Sequence, residues 1–238
     1  MKKTPEAVIF DMDGVLIDSE PLHYEAETSI FKIIGADFTE EERHSFIGTS
    51  IRSMYGDIIK RFNLKQTVEE LINQDKKIRL EFFSAIQELK PIEGVENLLV
   101  LLKKEKIKTA IASSSSEEII NLIIEKLGFA DYFDVIVSGD SVLHAKPEPD
   151  IFLKTVELLN TDTTKCIIIE DSKNGVIAAK KSGIKVIAYK NINSGIQDLS
   201  SADIIVNSIN EINPGMISSL LKHKSSLSGK KSSIKILT

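Results

Sequence analysis

Ala7-Val8-Ile9-Phe10-Asp11-Met12-Asp13-Gly14 is the stretch that decides the fold. The four apolar residues Ala7 to Phe10 are too few for a helix and suit a strand buried on both faces. The run stops abruptly at two acids two positions apart, followed by a glycine. If the chain is still extended there, Asp11 and Asp13 lie on the same side, and Gly14 permits a turn that other residues resist. Carboxylates at the carboxyl end of a parallel strand stand where open α/β sheets bind ligands. A plain polar turn would read the same way from these eight residues alone, so the neighbouring segments must decide.

Outward from that stretch the chain changes character. Pro21 opens a helical pattern running to Ile34, with Leu22, Ala26, Ile30 and Phe31 at helix-like spacing and Gly35 as its stop. Helical patterns continue over Glu40–Phe46, Arg52–Phe62 and Val68 to about Ile86, and no strand is expected between Ile17 and Pro91. From Pro91 onward the two periods alternate. Helices are predicted over Val95–Lys104, Glu117–Leu127, Asp150–Leu159 and Asn174–Ser182. Strands are predicted at Thr109–Ala112, Val135–Val137, Ile167–Ile169, Val186–Ala188 and Ile204–Val206. Such alternation with β-branched strands predicts the α/β class, a doubly wound parallel sheet. The expected organisation is an α/β core over 1–17 and 91–221, an all-helical cap over 18–90 inserted after the first strand, and a flexible basic tail over 222–238.

Composition excludes several classes. With 238 residues, 42% hydrophobic and 27% charged, the chain has ordinary globular make-up and room for a substantial core. Its 30 basic and 35 acidic side chains leave a net charge of −5, which offers no electrostatic footprint for nucleic acid. No stretch approaches the ~20 apolar residues of a membrane span. The basic start Met1–Pro5 precedes an apolar run too short for a signal peptide. Cys166 is the one cysteine and begins an apolar run, so it is expected as a buried core residue in a reducing, cytoplasmic setting. A monomer or weak dimer is expected.

Every later strand also ends in polar groups. Thr109–Ala112 runs into Ser113-Ser114-Ser115-Ser116 just before a helix start, where hydroxyls and backbone N–H groups suit an anion; a simple N-cap would need only one of the four. Val135–Val137 leads to Ser138-Gly139-Asp140 and then Lys146-Pro147. Ile167–Ile169 ends in Glu170-Asp171-Ser172. If Asp11, Asp13, Glu170 and Asp171 converge, charges about 4 Å apart repel by roughly 4 kcal/mol at an effective dielectric of 20. Such a cluster requires a cation, and all-oxygen ligands select a hard one, Mg²⁺. Ser113 and Lys146 would then face a phosphate, completing a set suited to phosphoryl transfer.

In order and spacing these four segments resemble the motifs of the haloacid dehalogenase superfamily. The insert after the first motif is similar to that of the subgroup holding β-phosphoglucomutases and sugar-phosphate phosphatases. The resemblance spans about Ala7 to Ser208. It implies a Rossmann-like core with Asp11 as nucleophile, Asp13 as general acid and base, and Ser113 and Lys146 as binders of the phosphoryl group. It further implies Mg²⁺ held by Asp11, the Asp13 carbonyl, Asp171 and Glu170, and a cis Lys146–Pro147 peptide. Dehalogenases proper and phosphonate-cleaving relatives lack the second acid of D-x-D, and Asp13 contradicts both. Ser114, Glu20 and His23 are expected at the substrate, His23 also as a group steering Asp13. Ile47-Gly48-Thr49-Ser50-Ile51-Arg52 resembles the cap loop that reads the substrate's far end, making Gly48 and Arg52 substrate candidates. In the mutases the arginine follows the glycine by three positions, where this chain has Ile51. The implied activity is a Mg²⁺-dependent phosphatase acting on a small phosphorylated metabolite such as a sugar phosphate. A β-phosphoglucomutase-type mutase is the alternative, and a non-catalytic binding homologue would be expected to lack a motif residue. Lys76 and Lys77 are expected on a solvated cap face.

Overall fold

The computed structural model describes residues 5–39, 42 and 51–222. β1 (Ala7–Phe10), β2 (Lys108–Ser113), β3 (Val135–Ser138), β4 (Cys166–Glu170), β5 (Lys185–Tyr189) and β6 (Ile204–Val206) form one sheet in the order β3-β2-β1-β4-β5-β6. Every pairing is parallel. β1 is central, and the strand order reverses between β1 and β4, the switch point where such sheets open a crevice at their carboxyl edge.

Burial on both faces explains the unbroken apolar runs. Val8, Phe10, Ile111, Ile167 and Ile169 face one apolar layer, together with α4 (Val95–Lys104) and α5 (Glu117–Leu127). Ala7, Ile9, Ala110, Cys166 and Ile168 face the other, covered by α6 (Asp150–Leu158) and α7 (Lys173–Ser182). Cys166 is wholly buried, as expected, and burial pushes its thiol up to about 11.

Between β1 and α4 the described chain is helical: α1 (Glu20–Ile33), α2 (Ile51–Phe62) and α3 (Val68–Ala85) share a separate apolar cluster around Phe31, Tyr55, Ile58 and Leu71. Thr67 and Glu70 start α3 with a reciprocal capping box. Phe83 of α3 leaves that cluster and joins the core layer, fully buried; burial of this kind contributes about 1.5–3 kcal/mol. The chain leaves and re-enters the core side by side, where Ile17 bridges Pro91 and the Ile92 N–H donates to the Leu16 carbonyl at 2.9 Å.

Predicted boundaries hold to within one or two residues. The helix predicted over Glu40–Phe46 lies outside the described residues apart from Glu42, as do Gly48 and the tail beyond Lys222. One α-helix among the described residues was not predicted, α8 (Pro214–Leu220), although Asn213 caps it and Pro214 occupies its first turn. The Lys146–Pro147 peptide is cis. Among the described residues no helix is long and apolar enough to cross a membrane.

Candidate active site

The carboxyl edge of the sheet gathers the predicted groups. Asp11 follows β1, its N–H donating to the Ile169 carbonyl of β4 at 2.9 Å. This ties the first acid to the strand that carries Glu170. Lys146 reaches in from the loop before α6, and its ammonium spends all three donors: on Asp11 Oδ1 at 2.6 Å, Glu170 Oε1 at 2.8 Å and the Ala112 carbonyl at 3.1 Å. The lysine is therefore a buried hub and not a surface residue. Burial alone would lower its pKa; the charges of Asp11 and Glu170 outweigh burial and raise it.

Asp11, Glu170 and Asp171 each offer a carboxylate oxygen within 4.8 Å of the others, all three buried. Burial pushes the Asp11 carboxyl well above its ordinary range, with Lys146 opposing and the other acids adding to the rise. Burial and the repulsion of Glu170 push Asp171 up to about 7. Ser172 accepts from the Gly175 N–H and so caps α7, which leaves Asp171 free of any capping duty. Two glycines make the crowding possible. A Cβ on Gly14, whose φ is +76°, would stand 2.0 Å from Asp171 Oδ2, and one on Gly175 would stand 1.6 Å from Glu170 Oε1.

The Asp13 carboxylate lines the same cavity but is not part of that triad, and makes contacts of its own. It accepts from Ser19 at 2.6 Å and contacts His23 Nε2 at 2.9 Å on Oδ1, and accepts from Ser113 at 3.2 Å and Ser115 at 2.8 Å on Oδ2. Burial would raise this carboxyl. The neighbouring His23 and the hydroxyls of Ser19 and Ser115 outweigh burial and hold it well below the usual range. The serine run is thus no mere cap, since Ser116 stands at the start of α5 without a side-chain cap bond.

Behind His23 a chain of contacts runs into the insert. Arg79 of α3 lies 3.2 Å from His23 Nδ1 and holds both oxygens of buried Asp75 at 3.0 Å. Nε2 of the same ring meets Asp13, so His23 bridges Arg79 of the insert and Asp13 of the core.

A cavity of about 160 Å³ opens over this floor, with Glu20, Ser114 and Gln197 among its lining. Partial burial there raises the Glu20 carboxyl. A hollow of about 200 Å³ at the opposite edge, beside Lys103, Lys106 and Asp134, holds none of these groups. Arg52 is not brought to the cavity by any contact among the described residues; it pairs with Glu69 on an exposed cap face. Lys76, expected to be merely solvated, reaches from α3 to Asp140 of the core at 2.7 Å, while Lys77 stays exposed beside Glu81. Ser19, Ser115, Arg79 and Ser194 went unread in the sequence. A serine run and a cap arginine were visible, but nothing local says where they point.

A family model described as haloacid dehalogenase-like hydrolase matches residues 8–189. The chain is 37% identical over 182 residues to a phosphorylated carbohydrates phosphatase of Thermotoga maritima, covering 76% of this chain and 83% of that protein. It is 28% identical over 184 residues to hexitol phosphatase B of Escherichia coli K12, covering 76% and 82%. Among solved structures, β-phosphoglucomutase from Clostridium difficile superposes with a TM-score of 0.77 at 26% identity, covering 92% of this chain and 97% of that one.

Proposed function

Because the chain belongs to the haloacid dehalogenase-like hydrolases, we propose that it is a Mg²⁺-dependent phosphatase that releases phosphate from a small phosphorylated carbohydrate. The buried meeting of Asp11, Lys146, Glu170 and Asp171 carries this reading, and phosphatase-named relatives support it. Residues 18–90 are assigned as a cap over the site.

The donor set fits Mg²⁺. It is all oxygen, it is buried, and three carboxylates face one ammonium, so uncompensated negative charge remains. Asp11, Glu170, Asp171 and the Asp13 carbonyl would hold the ion, which when bound supplies neutralisation of the phosphoryl oxygens. The chain's own residues do the rest. Lys146 keeps Asp11 Oδ1 fixed and, with Ser113, faces the transferring group. A carboxylate oxygen of Asp11 forms the new bond to phosphorus as the ester P–O bond breaks, and Asp13, once it has taken up the proton that its resting contacts disfavour, gives it to the leaving oxygen. Asp13 then takes a proton from water, whose oxygen attacks the same phosphorus, and the bond to Asp11 breaks to release phosphate. Hydroxyls of Ser113 and Ser115 can rotate to accept from protonated Asp13, so both of its states are accommodated.

A mutase must grip a second phosphate in its cap. Among the described residues the cap cations Arg52, Arg79 and Lys76 are paired with Glu69, Asp75 and Asp140, which favours hydrolysis. Incubation with Mg²⁺ and a panel of sugar and polyol phosphates should release inorganic phosphate, and excess chelator should abolish it. Isomerisation primed by trace bisphosphate, without net phosphate release, would overturn the assignment in favour of the mutase.

A further inference from the structure

The loop joining β5 to β6 makes contacts that the phosphatase reading does not use. Asn191 is buried and its amide donates to the Gly14 carbonyl at 3.1 Å. The next donors point to different parts of the molecule. Asn193 Nδ2 lies 2.5 Å from Asp18 Oδ2, and Ser194 Oγ donates to Asp171 Oδ2 at 2.5 Å. Gln197 closes the loop on itself and on α7, donating to the Ser194 carbonyl at 2.9 Å and accepting from the Lys173 N–H at 3.0 Å. One short segment therefore touches the turn after β1, the acid at the end of β4 and the point where the chain leaves for the cap.

Both anchored carboxylates depend on it. The other oxygen of Asp18 is buried and has no hydrogen-bond partner, so Asn193 supplies the donor that this carboxylate has. Asp18 follows Ile17, the residue paired with Pro91 where the two crossings run together. Asp171 Oδ2 sits against Gly14, too close for any Cβ, with Ser194 Oγ beside it. A ligand carboxylate pinned in this way presents its remaining oxygen in one direction, and partners behind metal ligands are worth roughly 10–100-fold in affinity.

We infer that Asn193 and Ser194 are positioning residues: Ser194 orients Asp171 toward the divalent cation, while Asn193 ties the same loop to the cap hinge at Asp18, so that occupancy of the cation site is felt at the hinge. The inference rests on the assignment of Asp171 as a Mg²⁺ ligand. The side chains are adjacent in sequence and hold opposite sides of the loop, so a shift of Asp171 on binding the ion cannot leave Asn193 in place unless the loop deforms.

The chain has no tryptophan, and Ile196 is fully exposed on this loop, so Ile196→Trp introduces a single tryptophan that can be excited apart from the four tyrosines. Titration with MgCl₂ should change its emission, and calorimetry on the unsubstituted protein gives the Mg²⁺ affinity independently of turnover. Ser194→Ala should weaken Mg²⁺ binding roughly 10-fold or more and flatten the emission response, with Ser194→Thr restoring both. Hydrogen–deuterium exchange over 15–19 and at Ile92 should slow on adding Mg²⁺. In Asn193→Ala that slowing should vanish while the Mg²⁺ affinity changes by less than about three-fold. Unaltered affinity in Ser194→Ala, or hinge exchange indifferent to Mg²⁺ in the unsubstituted protein, would overturn the inference while leaving the metal assignment intact. If the unsubstituted protein and Asp171→Asn both fail to bind Mg²⁺, the metal assignment falls and the inference with it.

Discussion

Asp13 accepts hydrogen bonds from serines on two segments and from an imidazole, an environment that favours its anion. Asp13→Asn keeps the shape and removes the proton traffic. Its kcat on alkyl phosphates should fall by about 10²–10⁴-fold. The loss should be smaller for p-nitrophenyl phosphate, whose leaving group needs no proton, and rapid-quench analysis should then show a phosphorylated protein accumulating. Equal losses on both substrates would contradict the acid–base role. Gly175→Ala drives a methyl into Glu170, and should destabilise by about 1–3 kcal/mol, visible as a lower melting temperature. At this scale the sequence was informative wherever a residue sits at a strand end, because the strand itself aims it: Asp11, Ser113, Glu170 and Asp171 were legible for that reason. Ser115 meets Asp13 across 102 positions and Arg79 meets His23 across 56. No local period encodes such contacts.

Helices α1 and α3 deliver His23 and Arg79 to the core. Asp75 and Arg79 sit one turn apart on α3 and form a buried ion pair. Removing one partner of such a pair typically costs 3–5 kcal/mol, so Arg79→Met should lower the melting temperature markedly, whereas Arg79→Lys should retain stability. If Arg79 also fixes the His23 ring against Asp13, Arg79→Met should alter the kcat/KM pH profile, because Asp13 then loses an oriented partner. An unchanged profile would reduce Arg79 to a structural role. Lys76 and Asp140 make a different kind of contact, with side chains 41% and 47% exposed. Pairs this open contribute little stability. Lys76→Ala should therefore leave the melting temperature within about 1 °C while raising KM, and the KM effect should shrink in high salt. Helix positions were readable from period and stop residues such as Gly128 and Gly183. Which helix face meets which neighbour was not, since that depends on how the insert packs back on the core through Phe83.

For the whole molecule, the crowded acids set the response to pH. In the cation-free protein Asp171 titrates at about 7 against an ordinary 3.8, so between those values the folded chain retains a proton that the unfolded chain has lost. Its contribution to stability is complete below the ordinary value and is lost as pH rises through about 7. Asp11 shifts the same way, while Asp13 shifts oppositely and matters only in stronger acid. On the proposed assignment, Mg²⁺ would compete with those protons. At 100 times its dissociation constant it should add about 2.7 kcal/mol, or roughly 5–10 °C in melting temperature for a chain of this size. The increment should be nearly absent at pH 5 and full above pH 7.5, as a thermal-shift series would show; an increment independent of pH would count against these carboxylates as the ligands. The parallel sheet and its helical insert were legible because alternation of periods survives in any one sequence. The cap's fit to its substrate was not, because it depends on side chains from separate segments meeting in space.

Cys166 lies in the middle strand layer with a thiol that burial keeps protonated. Maleimide reagents therefore have no native handle on the folded chain. Cysteines placed at Lys60 in α2 and Glu96 in α4, both exposed, would take a donor–acceptor dye pair without prior removal of the natural residue. Distances between the insert and the sheet could then be followed molecule by molecule as substrate arrives and phosphate leaves.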